Sequence, residues 1–576
     1  MQLETCDIPV PESLLAGWRA RITRAREHLG WSERGIVARP HAGGVSLAVA
    51  APCDQLFLAT EINEWALCAT LADGEPRMAR AFEEALLAEL LEDATDPAAV
   101  IPPVLEEAAA LSRFTRLAAR EARPALTALL RAADARKLAH VLDEQMLTLG
   151  TGAGGRDFSL GGLPAVDAVP WTEMHDVPTA IVTGSNGKTT TVRLLAACAR
   201  AHGWPNAYCC TDGVFFETEP QASGDYSGPE GARRVLRERR AHAAIIETAR
   251  GGILRRGLAV SSAQTAIVTN VSADHFGEYG VDDLAGLADV KLTVAGVLVA
   301  EGLLVLNADD AQLSSRAGGL AQRFGRALRL GWFSLSDDNP LLTAHRRQGG
   351  STCAVRGGRL VLHQGGTSDD LGVVAAMPLT VDGSARYNIA NLAGAALGAA
   401  ALGIGAATIA AVYARFGADP ADNSGRMMRF ERDGVQILVD YAHNPEGMRG
   451  LLRVAAHLRA ARGRLGTVLG HAGNRQDAEI EALARATAEF RPDLVVVKES
   501  ENYLRGREPG EVPRMIHAAL RRSGLPEDAL PVRGSELSAV QYALEWARPG
   551  DVLALPVHST AVRAQLVQLL GAARRT

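Results

Sequence analysis

Apolar and polar positions recur with different periods along this chain, and each period predicts its own kind of element. Residues 1–150 are mixed: 45–50 and 56–60 are short apolar runs of strand length, while from Glu75 onward Met78, Phe82, Leu86 and Leu90 recur four apart on one helix face. Ala-rich helices are expected to continue through Leu149, broken at Pro102 and Pro103 and restarted near Pro124. The Gly- and Pro-rich stretch from Gly150 to Pro170 reads as a linker. From Val177 to about Asn423, β-branched apolar runs alternate with helical patterns, the rhythm of an α/β domain with a largely parallel sheet. After the junction Asp422-Asn423-Ser424-Gly425-Arg426, apolar runs at 435–439, 465–469, 494–497 and 552–555 again alternate with helices and predict a second, smaller α/β domain. The expected division is an N-terminal α+β domain over 1–150, a linker over 151–175, a central domain over 176–424 and a C-terminal domain over 425–576.

Within this pattern the stretch TAIVTGSNGKTTTV, residues 179–192, carries the clearest chemistry. Its apolar start, Ala180-Ile181-Val182, reads as a buried strand that breaks at Gly184-Ser185-Asn186-Gly187 and gives way to a helix after Lys188. The N–H groups of such a loop, with the positive end of the following helix, cradle a polyphosphate. Lys188 can reach the terminal phosphates, and the Thr189 or Thr190 hydroxyl can ligate Mg²⁺. The expected ligand is ATP or GTP. Val182 stands where the general P-loop pattern has its first glycine, so the loop is a variant form, and a chance Gly-Lys-Thr in an ordinary turn is the competing reading. Later strands end in Glu247, in Asn270 with Asp274 and His275, and in Asn307-Ala308-Asp309-Asp310, where open α/β sheets bind ligands. A strand-end carboxylate and a nearby histidine suit Mg²⁺ held on phosphates. By contrast His471, His558 and the arginines between Arg233 and Arg240 read as packed or solvated positions. Asp440, ending the first C-terminal strand, can bond a ribose or cap a helix.

Composition narrows the classes further. The 576 residues are 47% hydrophobic and 22% charged, an ordinary globular balance, and a net charge of −6 leaves no electrostatic footprint for nucleic acid. Seven cysteines without a CxxC pair predict neither a zinc site nor a disulfide framework and fit a reducing cytoplasm. The acidic, proline-bearing first residues predict no signal peptide. The uncharged run over 392–414 is long enough to span a bilayer, but it is rich in Ala and Gly and interrupted at Gly403-Ile404-Gly405, which predicts two short core helices instead.

Taken together, GSNGKTTT (184–191), the strand-end Glu247, NVSADH (270–275), Lys291, YNIANLAGAA (387–396), SGR (424–426) and DYAHNP (440–445) resemble, in the same order, the motifs of the Mur ligase family. The missing P-loop glycine is that family's own form. The resemblance implies an α/β protein with a Mur-ligase-like central P-loop ATPase domain and a Rossmann-like C-terminal domain. It also implies ATP-dependent, ADP-forming ligation of a carboxylate to an amine through an acyl phosphate. By the same resemblance Gly184, Ser185, Asn186, Gly187, Lys188, Thr189 and Thr190 hold the phosphates of ATP, and Thr189, Glu247 and His275 hold Mg²⁺. Asn391 reads the adenine, Asp440 holds the ribose, and Arg426 crosses to the phosphates when the C-terminal domain closes. The catalytic candidates are Lys188, His275, Lys291 and Arg426. Lys291 follows His275 at about the interval at which many members carry a carbamylated lysine, whereas the default for one lysine is a helix surface.

A narrower likeness, to the ligase module of cyanophycin synthetase, rests on TDGVF (211–215), GDYSGPEGARRVL (224–236), ETARGGILRRGL (247–258) and KESENYLRGREPGEV (498–512). LDEQMLTLGTG (142–152) is also similar to the segment that there leads into an ATP-grasp module, which is missing here. Ser424 in place of a usual Pro, and HAGNRQD (471–477) in place of a more charged segment, depart from the family pattern. The partners implied are a small-molecule or oligopeptide carboxylate acceptor and an amino-acid amine donor, with no nucleic acid and no membrane. The N-terminal unit is left to substrate docking or to contacts within a homo-oligomer. Two other readings stand beside this one: a family ligase for a folate-type or cell-wall-precursor scaffold, and a P-loop nucleotide-binding protein without ligase activity.

Overall fold

A computed structural model describes residues 2–6, 10–31, 35–41, 44–73, 77, 80–82, 104–273, 276, 280–473, 475–500 and 503–571. The chain forms two units, one of Met1–Leu149, Arg156–Met174 and Phe276–Asp283, the other of Gly150–Gly155, His175–His275 and Leu284–Thr576.

In the first unit β1 (Gln2–Cys6), β2 (Ile36–His41) and β3 (Gly44–Val49) form an antiparallel sheet in the order β1-β3-β2. Residues 56–60, expected as a strand, instead begin the helix Leu56–Leu71. The reason lies in the longer window, where Leu58, Ile62, Trp65 and Ala69 recur at helical spacing and are all buried. Trp18 of the helix Glu12–Leu29 donates to Asn63 Oδ1 at 2.8 Å, and Asn63 donates to the Leu47 carbonyl at 3.2 Å, so this buried amide is satisfied inside the core. The helix Glu107–Glu121 adds Phe114, whose ring meets Trp65 edge-on at 5.5 Å.

The expected helical run to Leu149 stops earlier, at Ala135, after the helix Pro124–Ala135. Beyond it β4 (His140–Leu142), β5 (Met146–Leu149) and β6 (Arg156–Ser159) form an antiparallel sheet. Asp143 makes the turn, its Oδ1 accepting from the N–H groups of Gln145 at 2.8 Å and Met146 at 2.9 Å, a local bond that competes with helix formation. The four-apart positions Met78, Leu86 and Leu90, and the break at Pro102 and Pro103, lie outside the described residues.

The second unit holds two sheets. The larger contains β7 (Thr179–Thr183), β8 (Asn206–Cys210), β9 (Gly213–Phe216), β10 (Glu219–Ser223), β11 (Ala243–Glu247), β12 (Ala263–Val268), β13 (Leu298–Asn307), β14 (Arg329–Ser334), β15 (Ser351–Arg356), β16 (Arg359–Gln364) and β17 (Thr367–Val373). Their order is β10-β9-β8-β11-β7-β12-β13-β14-β15-β16-β17. From β8 to β15 in that order every pairing is parallel, and antiparallel strands finish both edges. β7, β8 and β11 are buried at every position, which is why they read as continuous apolar runs. The chain leaves β7 towards β8 and leaves β12 towards β13, in opposite directions. The crevice beyond the carboxyl ends of β7 and β12 is therefore the topological switch point.

The helix Arg386–Ala401 lies against the helix Lys188–Ala201 and across β12 to β15. Its small residues permit the approach: a Cβ on Gly398 would lie 2.6 Å from Ile267 Cδ1. The uncharged run ends there, turns at Gly403-Ile404-Gly405 and resumes in the helix Ala406–Tyr413. Among the described residues no helix is long and apolar enough to cross a membrane.

The smaller sheet contains β18 (Met428–Arg432), β19 (Val435–Asp440), β20 (Leu465–Leu469), β21 (Leu494–Lys498), β22 (Val532–Arg533) and β23 (Val552–Pro556), in the order β18-β19-β23-β20-β21-β22. Only β18 pairs antiparallel. Helices Pro445–Leu458, Asp477–Ala488 and Glu511–Arg522 bury apolar residues with one face of it. Glu536–Trp546 and Thr560–Gly571 do so with the other. The α/β architecture expected from the alternating pattern is the one observed.

Candidate active site

The loop after β7 is fastened to the end of β12. Asn270 accepts from two loop N–H groups, Ser185 N on its carbonyl at 3.0 Å and Asn186 N on its Oδ1 at 2.9 Å, while the Thr269 hydroxyl donates to the Asn186 carbonyl at 2.6 Å. Ser185 Oγ donates to the Ser272 carbonyl and accepts from the Ser272 N–H, both at 3.0 Å. Gly184 and Gly187 are required here by both conformation and space. Their φ values are +148° and +85°, and an added Cβ would lie 1.8 Å from Thr269 Oγ1 and 2.2 Å from Asn391 Oδ1, respectively. Gly184→Ala is expected to push Thr269 off the loop and weaken nucleotide binding about tenfold or more, since such a contact costs on the order of 1–3 kcal/mol. Titration with a fluorescent ATP analogue, beside a melting curve, checks this.

Lys188 begins the helix, and its Nζ donates to the carbonyls of Gly184 and Ser185, both at 3.1 Å, so the ammonium folds over its own loop. Thr189 and Thr190 then separate in role. The Thr189 hydroxyl donates to Glu247 Oε2 at 2.8 Å, whereas Thr190 Oγ1 accepts from Asn423 Nδ2 at 3.2 Å. Glu247, at the end of β11 and fully buried, also takes the Thr211 hydroxyl on its other oxygen at 2.9 Å. Two hydroxyls around one carboxylate form an all-oxygen set, the donor type a hard divalent cation prefers, and these residues fit Mg²⁺. Among the described residues no group of three His, Cys, Asp or Glu could hold a metal ion. Asp274 and His275 lie outside the described residues.

The C-terminal sheet supplies the facing wall. Asp440, at the end of β19, accepts from the Met427 N–H at 2.7 Å, and burial pushes its carboxyl up against the opposing pull of Arg426. Asn444 caps the helix Pro445–Leu458 with its Oδ1, which accepts from Gly447 N at 2.9 Å, and donates through Nδ2 to Asn186 Oδ1 at 2.9 Å. The Arg426 guanidinium lies 4.2 Å from the centroid of the Tyr441 ring. One of its nitrogens is 3.5 Å from Thr189 Oγ1 and the other 4.0 Å from Asp212 Oδ2. Between the two sheets lies a cavity of about 680 Å³. Of the residues expected from the sequence, Ser185, Asn186, Gly187, Lys188, Thr189, Thr190, Glu247, Asn391, Arg426 and Asp440 line it. Asn391 does so from beside Gly187, donating to Asn388 Oδ1 at 3.2 Å.

Lys291, on the helix Leu284–Leu292, is 3% exposed, so the default of a helix-surface lysine does not hold; it is absent from the cavity lining. Sequence reasoning missed four contributors. Thr211 and Asp212 lay inside TDGVF without a role, and Asn444 inside DYAHNP. The fourth is Arg563 of the last helix, which reaches Asp212 Oδ1 at 2.7 Å and had no sequence signal at all. Asp212 also accepts from Arg193 at 2.9 Å. The arginines around it hold its carboxyl below the usual carboxylate range against the opposing effect of burial.

This site sits where two family descriptions match: "Mur ligase middle domain" over residues 182–397 and "Mur ligase, glutamate ligase domain" over 425–555. Cyanophycin synthetase from Synechocystis sp. is 32% identical over 414 residues, which are 71% of this chain and 46% of that one. UDP-N-acetylmuramoyl-L-alanyl-D-glutamate–2,6-diaminopimelate ligase from Alkalilimnicola ehrlichii is 31% identical over 382 residues, 65% of this chain and 69% of that one. The solved structure of E. coli FolC in complex with DHPP and ADP shares the fold at a TM-score of 0.50 and 19% identity, covering 69% of this chain and 89% of its own. The chain belongs to the Mur ligase family. It spans less than half the length of the cyanophycin synthetases it matches.

Proposed function

We propose that this chain is an ATP-dependent carboxylate–amine ligase of cyanophycin-synthetase-like type that works through an acyl phosphate. The observation that carries the reading is the convergence of Lys188, Thr189 with Glu247, and Arg426 on one cavity, from three separate stretches of the chain. An acceptor carboxylate oxygen attacks the γ-phosphorus of ATP, the bond to the β-phosphate oxygen breaks, and ADP leaves. The amine nitrogen then attacks the acyl carbon, the carbon–oxygen bond to phosphate breaks, and the amide forms as the nitrogen loses its proton. Lys188 and the loop N–H groups stabilise negative charge on the transferring group, and Arg426 adds to it from the opposite wall. Thr189 and Glu247, with His275 by family resemblance, would hold Mg²⁺, which supplies charge neutralisation at the phosphates. Asn391 and Asp440 bind the adenosine end. The Asn444–Asn186 bond keeps the C-terminal wall against the loop, which shields an acyl phosphate from water. On this reading residues 1–150, 176–424 and 425–576 act as N-terminal domain, ATPase domain and closing domain, and most of the expected linker over 151–175 belongs to the first unit, where Arg156–Ser159 pairs with β5 and Val169 and Met174 are buried.

Measuring ADP and AMP over a matrix of carboxylic acids and amino acids tests the proposal. ADP release that needs both an acid and an amine is expected; AMP with pyrophosphate would remove the acyl-phosphate route, and slow turnover without any acid would favour a nucleotide-binding protein. Lys291 is assigned a carbamate role on the same family grounds. Lys291→Ala is expected to lose most ligase activity and to regain part of it with a small added carboxylate, and full activity in that variant would end the assignment.

A further inference from the structure

The last helix of the chain sends one residue back to the reaction centre. Arg563, four residues into Thr560–Gly571, is 5% exposed, and its Nη2 donates to Asp212 Oδ1 at 2.7 Å and to Thr560 Oγ1 at 3.1 Å. Its guanidinium lies against Gly425, the residue just before Arg426: a Cβ there would fall 1.8 Å from Arg563 Nη1, and Gly425 has a φ of +71°. The Tyr441 ring is shared, its centroid 4.2 Å from Arg426 and 5.8 Å from Arg563. Asp212 is thus a hub with Arg563 on Oδ1, Arg193 at 2.9 Å on Oδ2, and Arg426 at 4.0 Å from Oδ2.

Two features set this cluster apart from an ordinary buried ion pair. Three guanidiniums converge on one carboxylate beside Thr189 and Thr190, and Arg193 and Arg563 hold Asp212 at 2.9 and 2.7 Å while Arg426 stands off at 4.0 Å, which leaves its guanidinium the one least committed to Asp212. Arg563 also keeps Nε and Nη1 buried without a hydrogen-bond partner, which a residue kept for fold stability alone would not favour. Arg193 ties the same hub to the junction, donating to the Ser424 carbonyl at 2.7 Å.

We propose that Arg563 is a positioning residue for phosphoryl transfer: acting through Asp212 and against Gly425, it fixes the Arg426 guanidinium at the phosphate end of the cavity. This rests on the ligase reading above. It makes the fold's last helix part of the device that aims the junction arginine, and it requires the effect of Arg563 to pass through Arg426.

The test is a double-mutant cycle with Arg563→Lys and Arg563→Gln, each made in the wild-type and in the Arg426→Ala background, with melting curves to show that each variant is folded. Lys keeps the charge and the burial if Gln does not fold. Two quantities are read: kcat for amine-dependent ADP release, and the gain in affinity for ADP when aluminium fluoride is added as a mimic of the transferring phosphoryl group. The expected result is a tenfold or larger loss of both quantities in the wild-type background, less for Lys than for Gln, with ATP KM changing less than threefold. In the Arg426→Ala background the same substitutions should change neither quantity by more than twofold. Equal losses in both backgrounds, or no loss in either, overturn the proposal. Because the aluminium fluoride measurement needs no acid or amine, a chain that fails to ligate would sink the ligase reading while the coupling of Arg563 to Arg426 is still decided.

Discussion

Lys188→Ala is expected to lower amine-dependent ADP release about a thousandfold, the scale of losing a preorganised donor at a developing negative charge. Its melting temperature should stay close to that of the wild type. The two expectations have separate physical origins. Lys188 Nζ meets only the Gly184 and Ser185 carbonyls among the bonds described for it, and Ser185 borders the cavity, where water can replace the ammonium. The loop itself is held by Thr269, Asn270 and Ser272, none of which the substitution touches. Alanine is also a good residue for the first turn of a helix. What disappears is a positive charge that can swing from its own loop to the terminal phosphates as charge builds there. ADP release and a melting curve on the same preparation check both halves, and wild-type turnover in the variant would remove the P-loop from the mechanism.

The parts of this molecule that were legible in the sequence are those in which one local window contains the whole cause. β7 and its loop were readable because a strand buried on both faces must be apolar throughout, and because only glycine suits the backbone at 184 and 187. The two short helices over 392–414 followed from an Ala- and Gly-rich run with an internal break, and Gly398 against Ile267 shows why small residues stand there. Misreadings came from windows that were too short or too uniform. Leu56 to Thr60 seen alone is a strand; seen with Ile62, Trp65 and Ala69 it is one face of a helix. The segment after Ala135 looked like more Ala-rich helix, but one side chain, Asp143, bends it into a hairpin.

Site residues follow the same division. Glu247 was readable as a strand-end carboxylate, yet the choice between Thr189 and Thr190 needed Asn423, which occupies the second hydroxyl from more than two hundred residues away. Arg563 is the extreme case. It is one arginine on a helix near the end of the chain, its partner Asp212 is 351 positions earlier, and nothing in the local sequence marks it out. Lys291 was undecidable for the opposite reason: a lone lysine on a helix defaults to the surface, and only packing shows it to be buried.

Arg426→Ala is expected to lower kcat about a thousandfold, at the lower end of what an arginine supplied to a transferring phosphoryl group contributes. ATP affinity should change less than about tenfold, as expected for an interaction strengthened mainly in the transition state. The ground-state contacts explain the split. The P-loop holds its conformation through β12, and Arg426 approaches Thr189 only to 3.5 Å, so little of the nucleotide's resting affinity depends on it. The fold also tolerates its loss: Asp212 retains Arg193 and Arg563 after the substitution, and Asp440, which loses the pull of Arg426, keeps the Met427 N–H as a donor. Arg426→Lys discriminates further. A lysine keeps the charge but has no planar fork to lie over Tyr441 while addressing Asp212 and a phosphate together, so its kcat should fall between those of the wild type and the alanine variant. Steady-state kinetics with saturating acid and amine, combined with direct titration of an ATP analogue, measures both quantities. An unchanged kcat in Arg426→Ala would reduce the arginine to a structural link between the two sheets, and a loss confined to ATP affinity would place it in ground-state binding instead of phosphoryl transfer.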